Sequence, residues 1–212
     1  MAYAEPGRFE ILAETLMLNA LLSSMYRTYV ADMGLHGDER VLELGPGSGA
    51  LTKHLAPLLR DRGHLTEVDV TQAWIERLRR RYGDGGWIDV IHADVRAAPL
   101  VADSYDVVLV HWMLHDVEAP DRQGVITALA RLLRPAGRLF LREPTKEKHG
   151  MSADEVRRLT AAAGLQEEAA GHGKTLFAGR YFAGRYVKPE RAGDDGLTGS
   201  GELAPSRGRR AR

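Results

Sequence analysis

Val41-Leu42-Glu43-Leu44-Gly45-Pro46-Gly47-Ser48-Gly49 is a short apolar run that ends in three alternating glycines, with a helical pattern opening near Ala50. An apolar run of this length bounded by Gly and Pro reads as a buried strand. Glycines at this spacing let the backbone turn sharply and approach a ligand where a Cβ would obstruct it. The helix N-terminus that follows offers free N–H groups and a partial positive charge to an anion. The stretch therefore predicts a strand, a ligand-cradling turn and a helix, suited to a cofactor that carries a carboxylate or a phosphate. The glycines alone leave two cofactor classes open, because Gly45-x-Gly47-x-x-Ala50 also satisfies the permissive dinucleotide pattern.

Outward from this loop, residues 40 to 188 alternate short β-branched or leucine-rich runs with longer helical patterns, the mark of repeated βα units and a parallel sheet. Strands are predicted at Arg40–Leu44, His64–Val68, Ile88–His92, Tyr105–Val110 and Arg138–Arg142, and helices at Ala50–Arg60, Ala73–Tyr82 and Pro120–Leu133. Ser152 and Glu155 form a capping box, Met151 can staple to Val156, and Gly164 stands where that helix must stop. Gln166–Gly171 and Thr175–Val187 then read as an antiparallel pair joined by a turn at Gly171-His172-Gly173.

Three segments follow. Residues 1–36 form an N-terminal helical lid or extension, with one helix from Gly7 to about Met33. Residues 37–188 form the α/β domain. Residues 189–212 have the composition of a disordered tail, with Arg207, Arg209, Arg210 and Arg212 near the end. On the N-terminal helix Met17, Leu18, Leu21, Leu22 and Met25 read as core or as the face of a homodimer, while Tyr26 and Tyr29 are placed to line a lid.

Composition removes whole classes of activity. Lys plus Arg and Asp plus Glu are both 29, for a formal net charge of +0, so no global field draws DNA. With Cys 0 there is no thiolate metal site, disulfide or cysteine nucleophile. The most apolar stretches, Ile11–Leu22 and Val107–Leu114, fall short of the roughly 20 residues a membrane span needs. The first residues lack the basic start of a signal peptide, so a cytoplasmic location is expected.

Glu43 two residues before Gly45 and the third glycine at Gly49 complete Glu-x-Gly-x-Gly-x-Gly, which resembles motif I of the class I, Rossmann-like S-adenosylmethionine-dependent methyltransferases, in their small-molecule (methyltransferase type 11-like) branch. Thr66-Glu67-Val68-Asp69-Val70-Thr71 resembles the family's second strand, and Ile91-His92-Ala93-Asp94-Val95 its third motif. Tyr105-Asp106-Val107-Val108-Leu109-Val110-His111 is similar to the fourth strand. Leu132-Leu133-Arg134-Pro135-Ala136-Gly137 is similar to the lead into the fifth, with Ala136 where glycine is commoner. The resemblance implies a three-layer α/β sandwich around a mostly parallel seven-stranded sheet that ends in an antiparallel pair. It also implies S-adenosyl-L-methionine held by Glu43, Gly45, Pro46, Gly47, Gly49, Asp69, Val70, Asp94, Val95 and His111. Asp69 would then accept from the ribose hydroxyls, and Asp94 and Val95 would meet the adenine. Turn-capping roles stand beside these for Asp69 and Asp94. The charge of Glu43, in an apolar strand, calls for a partner such as the cofactor's ammonium, a water or an arginine.

The acceptor is approached through Val110-His111-Trp112-Met113-Leu114-His115-Asp116, which resembles the His-containing segment of small-molecule members. His115, His111 and Glu143 are the candidate catalytic groups, His115 first, since an O–H or N–H acceptor needs a base. Packing under the cofactor for His111, capping for His115 and ion pairing for Glu143 are the structural alternatives. No Asn- or Asp-Pro-Pro-aromatic sequence follows the fourth strand, and no cysteine can add to a pyrimidine. A small molecule methylated on O, N or C is the expected partner, with no DNA, no integral membrane segment and no metal. A catalytically silent cofactor-binding scaffold and an NAD-dependent oxidoreductase are the competing readings.

Overall fold

The computed structural model describes residues 22–83, 86–145, 150–175 and 179–190. The elements run α1 (Ser23–Ala31), β1 (Arg40–Leu44), α2 (Thr52–Leu59), β2 (His64–Asp69), α3 (Gln72–Tyr82), β3 (Ile88–His92) and β4 (Tyr105–His111). They continue with α4 (Ala119–Leu132), β5 (Leu133–Pro144), α5 (Ala153–Ala162), β6 (Gln166–Thr175) and β7 (Gly179–Val187), and a 3-10 turn at Leu114–Asp116 links β4 to α4. The strands build one 7-stranded sheet in the order β3-β2-β1-β4-β5-β7-β6. Pairs from β3 to β5 are parallel, and β7 is antiparallel to both β5 and β6. The sheet is the expected α/β architecture. The order changes direction between β1 and β4, which opens a crevice at the C-terminal ends of those strands, where open α/β sheets bind ligands.

Strand alternation sorts the core into two layers. Leu42, Val108, Val110, Leu139 and Leu141 point toward the side covered by α4 and α5, where Ile126, Leu129, Val156 and Leu159 meet them. Val41, Val107, Leu109 and Phe140 point the other way, against α1 and α2. Burial on both faces explains why β1 and β4 are continuous apolar runs rather than alternating ones. In α1 it is Tyr26, Tyr29 and Val30 that are buried, so this face is engaged within the chain. The rest of the predicted Gly7–Met33 helix, with Met17, Leu18 and Leu21, lies outside the described residues, as does the tail from 191 onward.

Two local expectations are corrected. The Gly171-His172-Gly173 sequence is not a turn: β6 runs through it to Thr175, in register with β7. The glycine serves packing instead, since a Cβ on Gly173 would stand 2.2 Å from the Tyr181 ring across the ladder. β5 begins at Leu133 rather than Arg138 because a register shift opposite Tyr105 and Val107 accommodates Ala136 at φ 60. The α5 start is as read from the sequence. The Glu155 N–H donates to Ser152 Oγ at 3.1 Å, Met151 and Val156 are both buried in one cluster, and Gly164 ends the helix at φ 79. The Glu155 carboxylate does not close the box; it accepts from Arg122 on α4 at 2.8 Å. Among the described residues no helix is long and apolar enough to cross a membrane.

Candidate active site

The glycine turn between β1 and α2 has Gly45, Gly47 and Gly49 all in the left-handed region, at φ 69, 51 and 75. Any L side chain is strained there. At Gly45 space is short as well: a Cβ would lie 2.2 Å from Met113 Cγ, so the loop after β4 rests directly on the glycine. The Gly45 N–H donates to the Val68 carbonyl at 2.9 Å, fastening the turn to the end of β2, and Pro46 is buried beside it. No side chain caps the N-terminus of α2; the Lys53 N–H donates back to the Gly49 carbonyl at 3.1 Å, tying the helix start to the glycine turn.

Asp69 ends β2 facing this turn. One of its oxygens accepts the Thr71 N–H at 2.8 Å and the other the Gly47 N–H at 3.3 Å, so the capping role and the site role fall on the same carboxylate. Burial raises its pKa against the lowering by those N–H groups. Val70 follows, half-buried, its carbonyl bonded to His92 at 2.9 Å. Asp94 is brought beside β2 by the Ala93 N–H to Asp69 carbonyl bond of 3.0 Å. Its carboxylate is occupied by Arg96 at 2.6 Å, and Arg96 also holds Asp121 at 2.6 Å. The Arg96 hydrogen bonds keep Asp94 below the usual carboxylate range. Val95 is buried in the core under α4.

Glu43 does not meet an arginine. It is 2% exposed and accepts from Thr52 Oγ at 3.1 Å, and directly opposite it in the parallel register stands Glu67, 0% exposed. Neither Glu67 oxygen reaches an N–H or O–H donor in a fixed partner, so its polar company is the Glu43 carboxyl and the Thr52 hydroxyl. Desolvation raises both carboxyls, and the charge of Glu43 pushes Glu67 further up. The sequence offered no sign of this, because Glu67 lies on a different strand from Glu43 and their pairing depends on strand register.

After β4 the chain turns over Glu143. This carboxylate is 0% exposed, on the same face of β5 as Leu139 and Leu141. It accepts the N–H groups of Met113, Leu114 and His115 at 3.2, 2.8 and 3.4 Å. It also takes His115 Nδ1 at 2.6 Å. Glu143 stands within β5, one residue before its end, and rather than facing the crevice it lies beneath the turn and reaches the crevice only through His115. His115 is 16% exposed. Burial lowers its pKa, but the hydrogen bond and charge of Glu143 outweigh this and leave it raised. His111 does not join this pair. It is half-buried among Tyr26, Tyr29 and Trp112, with ring centroids 5.2, 5.2 and 4.4 Å away. Burial, reinforced by Arg142, depresses its pKa to about 3, so it stays neutral and is a poor base.

The left-handed glycine turn at the start of α2 and the Asp69 carboxylate at the end of β2 form a set that fits a cofactor with an anionic end and a diol. The sheet and this loop define a Rossmann-like methyltransferase domain. Residues 42–141 match the family model described as a methyltransferase domain. A ubiquinone/menaquinone biosynthesis C-methyltransferase of Vibrio campbellii is 27% identical over 144 residues, which are 64% of this chain and 55% of that protein. The chain thus spans about half the length of the curated relatives it matches. The N-methyltransferase NodS of Bradyrhizobium japonicum, solved with S-adenosyl-L-homocysteine, superposes with a TM-score of 0.63 at 22% identity over 88% of this chain and 90% of that one. The [4+2]-cyclase SpnF superposes at 0.67 with 14% identity, over 88% and 98% of the two chains, so the fold by itself does not fix the reaction.

Proposed function

We propose that the chain is an S-adenosylmethionine-dependent methyltransferase of a small-molecule acceptor, working in the cytoplasm, with residues 37–188 as its catalytic domain. The observation that carries this reading is the contact between the two halves of the crevice. Met113 lies against Gly45 of the cofactor-type loop, and two residues on His115 is bonded to buried Glu143. Glu43, Gly45, Pro46, Gly47, Gly49, Asp69, Val70, Asp94 and Val95 would hold S-adenosylmethionine. When bound, its sulfonium supplies a methyl group that is displaced in line, leaving a neutral thioether. The residues of the chain then position, desolvate and handle the acceptor's proton.

Glu143 holds the proton of His115 on Nδ1, which leaves Nε2 as the basic atom, a tautomer assigned from the hydrogen-bond network. Nε2 takes the proton of an acceptor hydroxyl or amine. Asp116, 3.5 Å from Nε2, supports the imidazolium that forms. Arg122 fixes the turn by donating to the His115 carbonyl at 3.0 Å. The relatives' names span carbon and nitrogen acceptors, so the methylated atom is O, N or C. His111, neutral and packed, is a wall of the acceptor side.

Calorimetric titration of S-adenosylmethionine, S-adenosylhomocysteine and NAD tests the reading: the first two bind and NAD does not. Binding of NAD alone would replace it with the oxidoreductase. Acceptors are then sought by S-adenosylhomocysteine release from pools of phenols, amines and quinols. His115→Ala is expected to lower kcat at least ~100-fold with S-adenosylhomocysteine affinity unchanged. Because Glu143 raises the His115 pKa above the ordinary 6.5, kcat/KM should climb with pH above that value as Nε2 is freed. Glu143→Gln should move that limb toward acid. A kcat unchanged by His115→Ala, or an unmoved limb, would reduce the pair to a structural fastening.

A further inference from the structure

The methyltransferase reading leaves Arg142 unused in the cluster around His111, on the opposite face of β4 and β5 from Glu143. Arg142 ends up on the α1 side of β5, only 9% exposed. Its guanidinium carbon lies 3.7 Å from the ring centroid of Tyr29 and 4.6 Å from that of Tyr181, so the planar cation is held between two aromatic faces. Its Nε has no partner, and no carboxylate among the described residues pairs with it. A guanidinium taken out of water without a counter-ion is strongly penalised, and cation–π contact offsets only part of that.

Two more buried nitrogens in the cluster lack partners, Trp112 Nε1 and His111 Nε2. Trp112 carries its indole on a left-handed backbone at φ 53, a strained state for a bulky residue, held by its N–H donating to the Arg142 carbonyl at 2.8 Å. The indole N–H and the guanidinium are donors only. All three residues sit at the C-terminal ends of β4 and β5, one strand (His111 and Trp112) and two strands (Arg142) from the glycine turn on β1. Among the described residues the cluster has no negatively charged acceptor atom, and its walls are rings.

We infer that Arg142, bracketed by Tyr29 and Tyr181, is the binding residue for a carboxylate on a flat methyl acceptor. This rests on the methyltransferase reading and names the substrate class: aromatic or otherwise planar acids, with the carboxylate on the guanidinium edge and the ring against Trp112 and the tyrosines. The rival occupant of Arg142 is the carboxylate of the cofactor itself.

The test uses the full chain saturated with S-adenosylhomocysteine, titrated with benzoate and 4-hydroxybenzoate and, in parallel, with benzamide and 4-hydroxybenzamide. Both acids are expected to bind saturably, and the amides at least ~10-fold more weakly, because only the acids answer the buried charge. Arg142→Gln should weaken benzoate at least ~10-fold and leave S-adenosylhomocysteine unchanged, with Arg142→Lys between the two, since an ammonium lacks the bidentate fork. Equal binding of acids and amides by the unaltered protein, or no saturable binding of either, overturns the inference without any variant having to fold. Loss of S-adenosylhomocysteine affinity in Arg142→Gln by the same factor assigns Arg142 to the cofactor and overturns it too. If benzoate binds the unaltered protein but S-adenosylhomocysteine does not, the methyltransferase reading fails and the anion site stands.

Discussion

The two halves of the crevice are built from different materials. Over β1 and β2 the site is backbone: three left-handed glycines, an uncapped helix start, and an acid whose oxygens accept main-chain N–H groups. Over β4 and β5 it is side chains: a histidine standing on a buried glutamate, and a guanidinium among rings. Backbone recognition needs only a conformation, and conformation is written locally in glycine spacing. Side-chain recognition needs particular groups brought together from distant positions, and it is free to change with the acceptor. On the proposed function, the cofactor half is thus generic and the acceptor half particular to this chain.

The sharpest way to break this contrast is Gly45→Ala. The new methyl would combine a left-handed φ of 69 with a 2.2 Å approach to Met113 Cγ. Conformational cost of about 1–2 kcal/mol and overpacking of about 1–3 kcal/mol should together lower stability by ~2–5 kcal/mol, read in urea unfolding. Adding Met113→Ala should recover the overpacking part and leave the conformational part. Full recovery would mean that the glycine is there for Met113 alone, and the loop would lose its claim to be a conformational cradle.

The same contrast sets what the sequence disclosed. Strands β1 and β3 fall on the residues read from the apolar runs, and β2 and β4 run one residue further, because burial on both faces leaves a continuous pattern. The glycine loop was legible for the same local reason, as was Asp69 at the end of β2. Glu143 was visible as a charged residue just after the predicted fifth strand, but its place beneath the turn follows from strand alternation combined with the path of the loop after β4. The Glu43–Glu67 pair depends on register across two strands, and the Arg142 bracket on three separate segments: α1, β5 and β7. No spacing rule within one segment contains either. The misplaced turn at Gly171 and Gly173 has a different origin, since small residues serve both reversal and close cross-strand packing, and only Tyr181 decides between them.

A smaller effect sharpens the backbone half from beneath. Glu43 and Glu67 bind a proton in the folded chain that they release at ordinary carboxylate pKa values when unfolded. The native state therefore holds more protons than the unfolded state above about pH 4.5, and stability must fall as pH rises until the pair ionises. Glu67→Gln places a donor toward Glu43 and removes one of the two raised carboxyls. Stability from pH 5 to 8 should decline by ~1–3 kcal/mol less in the variant than in the parent chain, measured by urea midpoints across that range. Parallel curves would show that the two carboxyls are already relieved by water or by a cation.

The smallest effect separates two strained residues in the side-chain half. Ala136 at the foot of β5 and Trp112 beyond the top of β4 both hold left-handed backbones, at φ 60 and 53. At Ala136 the strain has no visible return, because a methyl side chain adds little packing, so Ala136→Gly removes a cost of about 1–2 kcal/mol. The extra freedom of glycine in the unfolded chain takes back about 0.4–1 kcal/mol. The net gain should be ~0.5–1 kcal/mol, a rise of roughly 1–4 °C in Tm for a chain of this size. Trp112→Gly relieves the same backbone but deletes the ring that packs on His111 at 4.4 Å and on Tyr26 at 6.2 Å, so it should lower Tm. Opposite signs at two equally strained positions would tie the strain at Trp112 to the aromatic wall it supports. A loss of stability in Ala136→Gly would instead mean that the register shift beside it needs a side chain.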